Sequence, residues 1–171
     1  MELGSFIERE GRSAVRFERI YPHSIERVWA AVTDTDELAH WFPSRVVFEL
    51  REGGEAEFSG DPNMPGSVGR VVVCDPPRRL GFTWGGDELQ FELEALGDGQ
   101  CRFTLTDFLE SENAAARNAA GWSVCIGELD KRLAGSRADG PHSDTAAPWK
   151  QYYEGYIAAG FPHGAEIPGV S

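Results

Sequence analysis

Basic charge is scarce in this 171-residue sequence: sixteen Lys and Arg stand against twenty-eight Asp and Glu, for a net charge of −12. Nucleic-acid binding draws on clustered cations that displace counterions from phosphates, so this balance disfavours a nucleic-acid partner. The basic pairs Arg78-Arg79 and Lys131-Arg132 read as solvated surface. Cysteine is scarce as well. Cys74, Cys101 and Cys125 are odd in number and widely spaced, with no CxxC, and signal neither a disulfide framework nor a zinc site. His23, His40, His142 and His163 form no HxH or HExxH pattern, so no metal is expected. Long apolar runs are missing: the stretch 118–127 falls far short of the roughly 20 apolar residues of a membrane span. The opening MELGSFIERE has no apolar core and does not read as a secretory signal. The composition predicts a protein that works without cofactor or membrane, in a reducing cytoplasm.

What the sequence does have is one long helical pattern and many short alternating ones. Over Asn113–Leu133, Trp122, Ile126, Leu129 and Leu133 recur at the spacing of a single helix face, with Cys125 beside them. Ala114, Ala115, Ala119 and Gly121 are small, so a helix docked through them leaves room for a cavity unless bulky strand residues fill it.

Ahead of that helix, AVRFERI at 14–20 alternates as a strand with one buried face. Ser24 then caps a helix that turns Ile25, Val28, Trp29 and Val32 inward, and TDELAHWF forms a second short helix ending before Pro43. From Arg45 the period becomes two. RVVFEL, GEAEFSG, SVGRVVVCD, RLGFTW, ELQFELEAL and QCRFTLTDF are six strand-like runs with short turn-rich separators, the pattern of an antiparallel meander. The first strand should pair at one edge. The inward set by parity is Val46, Phe48, Leu50, Ala56, Phe58, Leu80, Phe82, Trp84, Leu89, Phe91, Leu93, Cys101, Phe103 and Leu105. Gly69 leaves the register at Arg70 open. About seven strands, two short helices after the first and one long C-terminal helix predict an α+β domain over 1–135. Residues 136–171 read as a linker and a short aromatic helix, with Trp149, Tyr152, Tyr153 and Tyr156 packed on the domain or on a partner, and then an irregular tail.

Three stretches resemble a known family together: SIERVWAAVTDTDELAHWF at 24–42, CDPPRRLGFTW at 74–84, and GW followed by LDKRLAG within 121–135. They are similar to the bacterial proteins related to the activator of Hsp90 ATPase homologue, within the START-like (SRPBCC) superfamily. The resemblance implies the helix-grip fold, a curved antiparallel sheet around a long C-terminal helix with an apolar cavity between them. It also implies binding of hydrophobic molecules, with cyclases or hydrolases in some lineages and no shared cofactor. Chaperone stimulation belongs to particular members only.

The function expected is therefore non-catalytic binding of a small hydrophobic or aromatic molecule by Phe58, Trp84, Phe91, Phe103, Trp122 and Ile126. Asp107 shares the parity of Phe103 and Leu105, and either orients the ligand or is exposed where the strand bends. A cyclase- or hydrolase-type enzyme using Asp107 or His40 as acid/base is one alternative. A chaperone-partner or homodimerisation module built on the aromatic tail is the other. Cys101 and Cys125 read as packing residues.

Overall fold

A computed structural model describes residues 3–168 of the chain. It begins with a strand absent from the sequence reading: β1 (Ser5–Arg9) turns into β2 (Arg12–Tyr21) through Glu10 and Gly11. Both turn residues have positive φ, 55° and 76°, the geometry of a two-residue hairpin whose twist matches its strands. The next element, α1 (Ile25–Thr33), starts where Ser24 Oγ accepts from Arg27 N at 3.2 Å. Val28, Ala31 and Val32 are buried on its inner face. The following helix, α2 (Thr35–Leu38), is a single turn, yet Trp41 N and Phe42 N both donate to Leu38 O and carry the coil to Pro43.

The six alternating runs are strands: β3 (Arg45–Phe48), β4 (Glu55–Ser59), β5 (Ser67–Asp75), β6 (Arg79–Trp84), β7 (Asp87–Gly97) and β8 (Gln100–Phe108). They form one antiparallel sheet in the order β1-β2-β8-β7-β6-β5-β4-β3, eight strands where about seven were expected. The edge position expected of the strand at 14–20 belongs to β1, because the Glu10-Gly11 hairpin adds a strand outside it. Alternation is clearest in β7, where Leu89, Phe91 and Leu93 are buried and the residues between them are not. Leu50 leaves the inward set, 43% exposed, because β3 ends two residues earlier.

β5 divides its pairing. Ser67–Arg70 pair with β4, Val71–Asp75 pair with β6, and the register shifts between Val71 and Val73. Gly69 sits at this handover because a Cβ there would stand 2.2 Å from Thr83 O. Arg70 faces solvent, with its guanidinium donating to Gly53 O at 2.9 Å.

A 3-10 turn (Glu112–Ala114) leads into α3 (Ala115–Leu133), whose Trp122, Ile126, Leu129 and Leu133 are buried as a stripe. The other side of α3 receives α4 (Trp149–Ala158). There the Tyr156 hydroxyl lies 2.6 Å from Ser123 Oγ and accepts from Gly4 N at 2.8 Å. Gly121 belongs to this side: a Cβ on it would meet Trp149 Nε1 at 4.0 Å. It therefore faces α4 and not the sheet. Between the two helices, residues 136–148 hold no regular element but are tied down. Glu128 Oε1 accepts from Gly140 N at 3.0 Å, and Lys131 Nζ donates to Thr145 O at 3.0 Å. Residues 169–171, the end of the expected irregular tail, lie outside the described residues.

Two glycine substitutions separate close approach from open space. Gly69→Ala forces backbone against backbone and should lower unfolding free energy by about 1–3 kcal/mol in a urea titration. Gly127→Ala meets nothing within 4 Å inside α3 and should raise it by about 0.5–1 kcal/mol. Equal effects at the two sites would contradict this β5 geometry.

Candidate functional site

Six of the residues expected to line a site meet in the space between the sheet and α3. Phe58 of β4 stacks near Phe82 (ring centroids 5.9 Å), Phe82 meets Phe91 at 5.4 Å, and Phe91 meets Phe103 at 5.6 Å. On the helix side Trp122 lies 5.3 Å from Trp84, and Ile126 is fully buried one turn further along. Of these, Trp84 alone keeps partial exposure.

The expected cavity is not open space. Trp41 and Phe42 enter it from the end of α2. The Phe42 ring touches those of Phe58, Phe82, Trp84 and Trp122 at 5.6–6.4 Å, and Trp41 lies 5.9 Å from Phe91 and 6.3 Å from Phe103. Trp41 is fixed further by Nε1, which donates to Ala31 O at 2.9 Å. What remains is a cleft of about 10 Å³ at the β4 end, bordered by Ser44, Phe58, Asp61, Met64 and Trp84. That is room for about one water molecule. Two larger grooves lie at the surface, about 590 Å³ beside Glu26, Arg79 and Arg102 and about 500 Å³ beside Asp34, His40 and Arg132. His40 belongs to the second groove, with Nδ1 2.8 Å from Ala138 O, away from the aromatic interior.

Asp107 is fully buried, so the strand does not bend it into solvent. Trp122 Nε1 donates to its Oδ2 at 2.9 Å, and Asn118 Nδ2 donates to the same oxygen at 3.2 Å. Asn118 Nδ2 also reaches Asp87 Oδ2 at 3.0 Å and so bridges the two carboxyl groups. Asp107 Oδ1 has no hydrogen-bond partner of the ordinary donor kind among the described residues. Burial pushes the Asp107 carboxyl well above the usual carboxylate range, helped by its hydrogen bond to Asp87 and that group's charge, and opposed by Trp122 and Asn118. The arrangement disfavours the charged form of Asp107. Cys125, also buried, has its thiol pushed up by desolvation and acts as an apolar side chain. Among the described residues, no group of His, Cys, Asp and Glu is arranged to hold a metal, and no helix is long and apolar enough to cross a membrane.

Trp41, Phe42, Asn118 and Asp87 are the site residues that sequence reasoning left out. The first two carried a signal, since Leu38, Trp41 and Phe42 stand at the i, i+3, i+4 spacing of one helical face. Asn118 and Asp87 carried none, because their role exists only where the start of α3 meets the start of β7.

The buried acid yields a pH prediction. A pKa raised in the folded state stabilises fully below the unfolded value of about 3.9 and is lost as pH rises through the raised value. Asn at this position copies the neutral acid and has no such loss. Asp107→Asn should match the natural protein in thermal stability in acid and exceed it increasingly as pH rises above about 4. A gap that grows toward acid instead would show the carboxyl to be charged.

Solved structures similar to this chain share the fold. CalU16 from Micromonospora echinospora is 22% identical with a TM-score of 0.68, over 91% of this chain and 95% of that one. EF2215 from Enterococcus faecalis, a conserved protein of unknown function, is 21% identical with a TM-score of 0.73, over 91% and 89%. The protein encoded by BPP1335 of Bordetella parapertussis is 27% identical with a TM-score of 0.66, over 89% and 90%. Among curated proteins no sequence matches significantly. The family profile described as Activator of Hsp90 ATPase homolog 1-like protein matches residues 22–134, from the turn before α1 through the end of α3, and the chain belongs to that family.

Proposed function

We propose that the chain binds a small apolar or aromatic molecule between the sheet and α3, in the place that Phe42 fills when no ligand is present. The observation that carries this reading is the position of Phe42. It comes from a turn outside any regular element, yet its ring contacts five other aromatic rings, two of which, Phe58 and Trp84, border a cleft opening on this interior. A flat ligand would reproduce those ring contacts. The helix-grip fold, shared with the solved structures above, supports a ligand-binding role in general. Binding without covalent chemistry agrees with the placement of His40 outside this interior. The three unpaired cysteines support a reducing, cytoplasmic setting.

Displacing Phe42 sets the affinity. Re-exposing a buried phenylalanine costs about 1.5–3 kcal/mol, so the natural protein should bind naphthalene roughly tenfold to a hundredfold more weakly than Phe42→Ala. Titration followed by the fluorescence of Trp84 and Trp122 reads both constants. Leu129→Ala, which opens space elsewhere in the core, should bring no such gain. Absence of naphthalene binding to the natural protein at saturating concentration would end this reading.

A further inference from the structure

Ser44 follows Pro43 at the mouth of the aromatic interior. It is 7% exposed, and its hydroxyl oxygen is buried with no hydrogen-bond partner among the described residues. It borders the cleft of about 10 Å³ together with Asp61, whose side chain is only 8% exposed. The contacts of Asp61 fall on one oxygen: Oδ1 accepts from Asn63 N at 2.8 Å and lies 3.6 Å from His142 Nε2. The same His142 nitrogen donates to Pro43 O at 2.8 Å, so the segment after α3 clamps both walls of the cleft. A buried hydroxyl is ordinarily bonded, and here it stands unbonded beside a carboxylate in a space the size of one heavy atom.

We propose that this cleft receives the polar end of the ligand, and that the ligand is a ring compound carrying one hydrogen-bond donor, a hydroxyl or an ammonium, in preference to a carboxylate. This rests on the reading that a ligand takes the place of Phe42. Ser44 Oγ and the Asp61 carboxylate both accept from such a donor. A ligand carboxylate would bring two oxygens into room for one and would face Asp61 with like charge, within a chain whose net charge is −12. The ring would lie on Phe58 and Trp84, which border the same cleft.

The test compares naphthalene, naphthylmethanol, naphthylmethylamine and naphthoate on the natural protein, Ser44→Ala and Asp61→Asn, by tryptophan fluorescence and calorimetry. The natural protein should bind the alcohol and the amine at least tenfold tighter than naphthalene, and naphthoate no tighter than naphthalene. Ser44→Ala should remove the advantage of the alcohol, and Asp61→Asn that of the amine. An unchanged naphthalene affinity in each variant shows that the fold is intact. If naphthalene binds the natural protein but all four compounds bind alike, or naphthoate binds best, the polar-end assignment is overturned and the binding reading stands. If naphthalene does not bind the natural protein, both are overturned.

Discussion

The structure depends on where two aromatic rings go when a one-turn helix stops. Leu38, Trp41 and Phe42 lie on one side of the coil that α2 begins, and Pro43 ends it, so the two rings enter the sheet side by side. Once inside they touch β4, β6, β7, β8 and α3 at once. A close-packed interior has no second place for two groups of this size. The sheet therefore curves around an aromatic centre that includes α2, and the long helix closes over it.

Asp107 shows the opposite constraint, a polar group in the same interior. Burial disfavours its charged form, and Trp122 and Asn118 donate to one of its oxygens. One side chain, Trp122, joins the two regimes, with its ring against Phe42 and Trp84 and its nitrogen on the acid. Packing at the centre of the domain and hydrogen bonding to the buried acid thus share a single indole.

Much of this was legible in the sequence. Period-two runs gave all six meander strands, Ser24 gave the start of α1, and the stripe from Trp122 to Leu133 gave α3 and its buried face. Phe58, Trp84, Phe91 and Phe103 were recoverable by parity, and Trp122 and Ile126 by helical spacing, because each lies on a regular element. β1 was missed although Glu10-Gly11 is a hairpin signal, since Ser5–Arg9 alternates weakly and is only half-buried. The filled interior was missed for a different reason. Leu38, Trp41 and Phe42 share the spacing of one helical face, but that spacing does not say whether the rings fill the interior or lie at its rim. The small residues of α3 misled similarly: Gly121 faces Trp149 behind the helix and not the sheet, which no pattern within α3 can reveal.

The divided strand β5 has a consequence for how the molecule opens. The β3–β4 hairpin is held to β5 by four register pairs and by two bonds between Val71 and Gly53 and Gly54, whereas β7 and β8 share nine register pairs. Amide hydrogens of β3 and β4 should therefore exchange with solvent through a smaller opening than those of β7 and β8. An opening confined to that hairpin would uncover Phe58 and its ring contacts while β6, β7 and β8 stay paired.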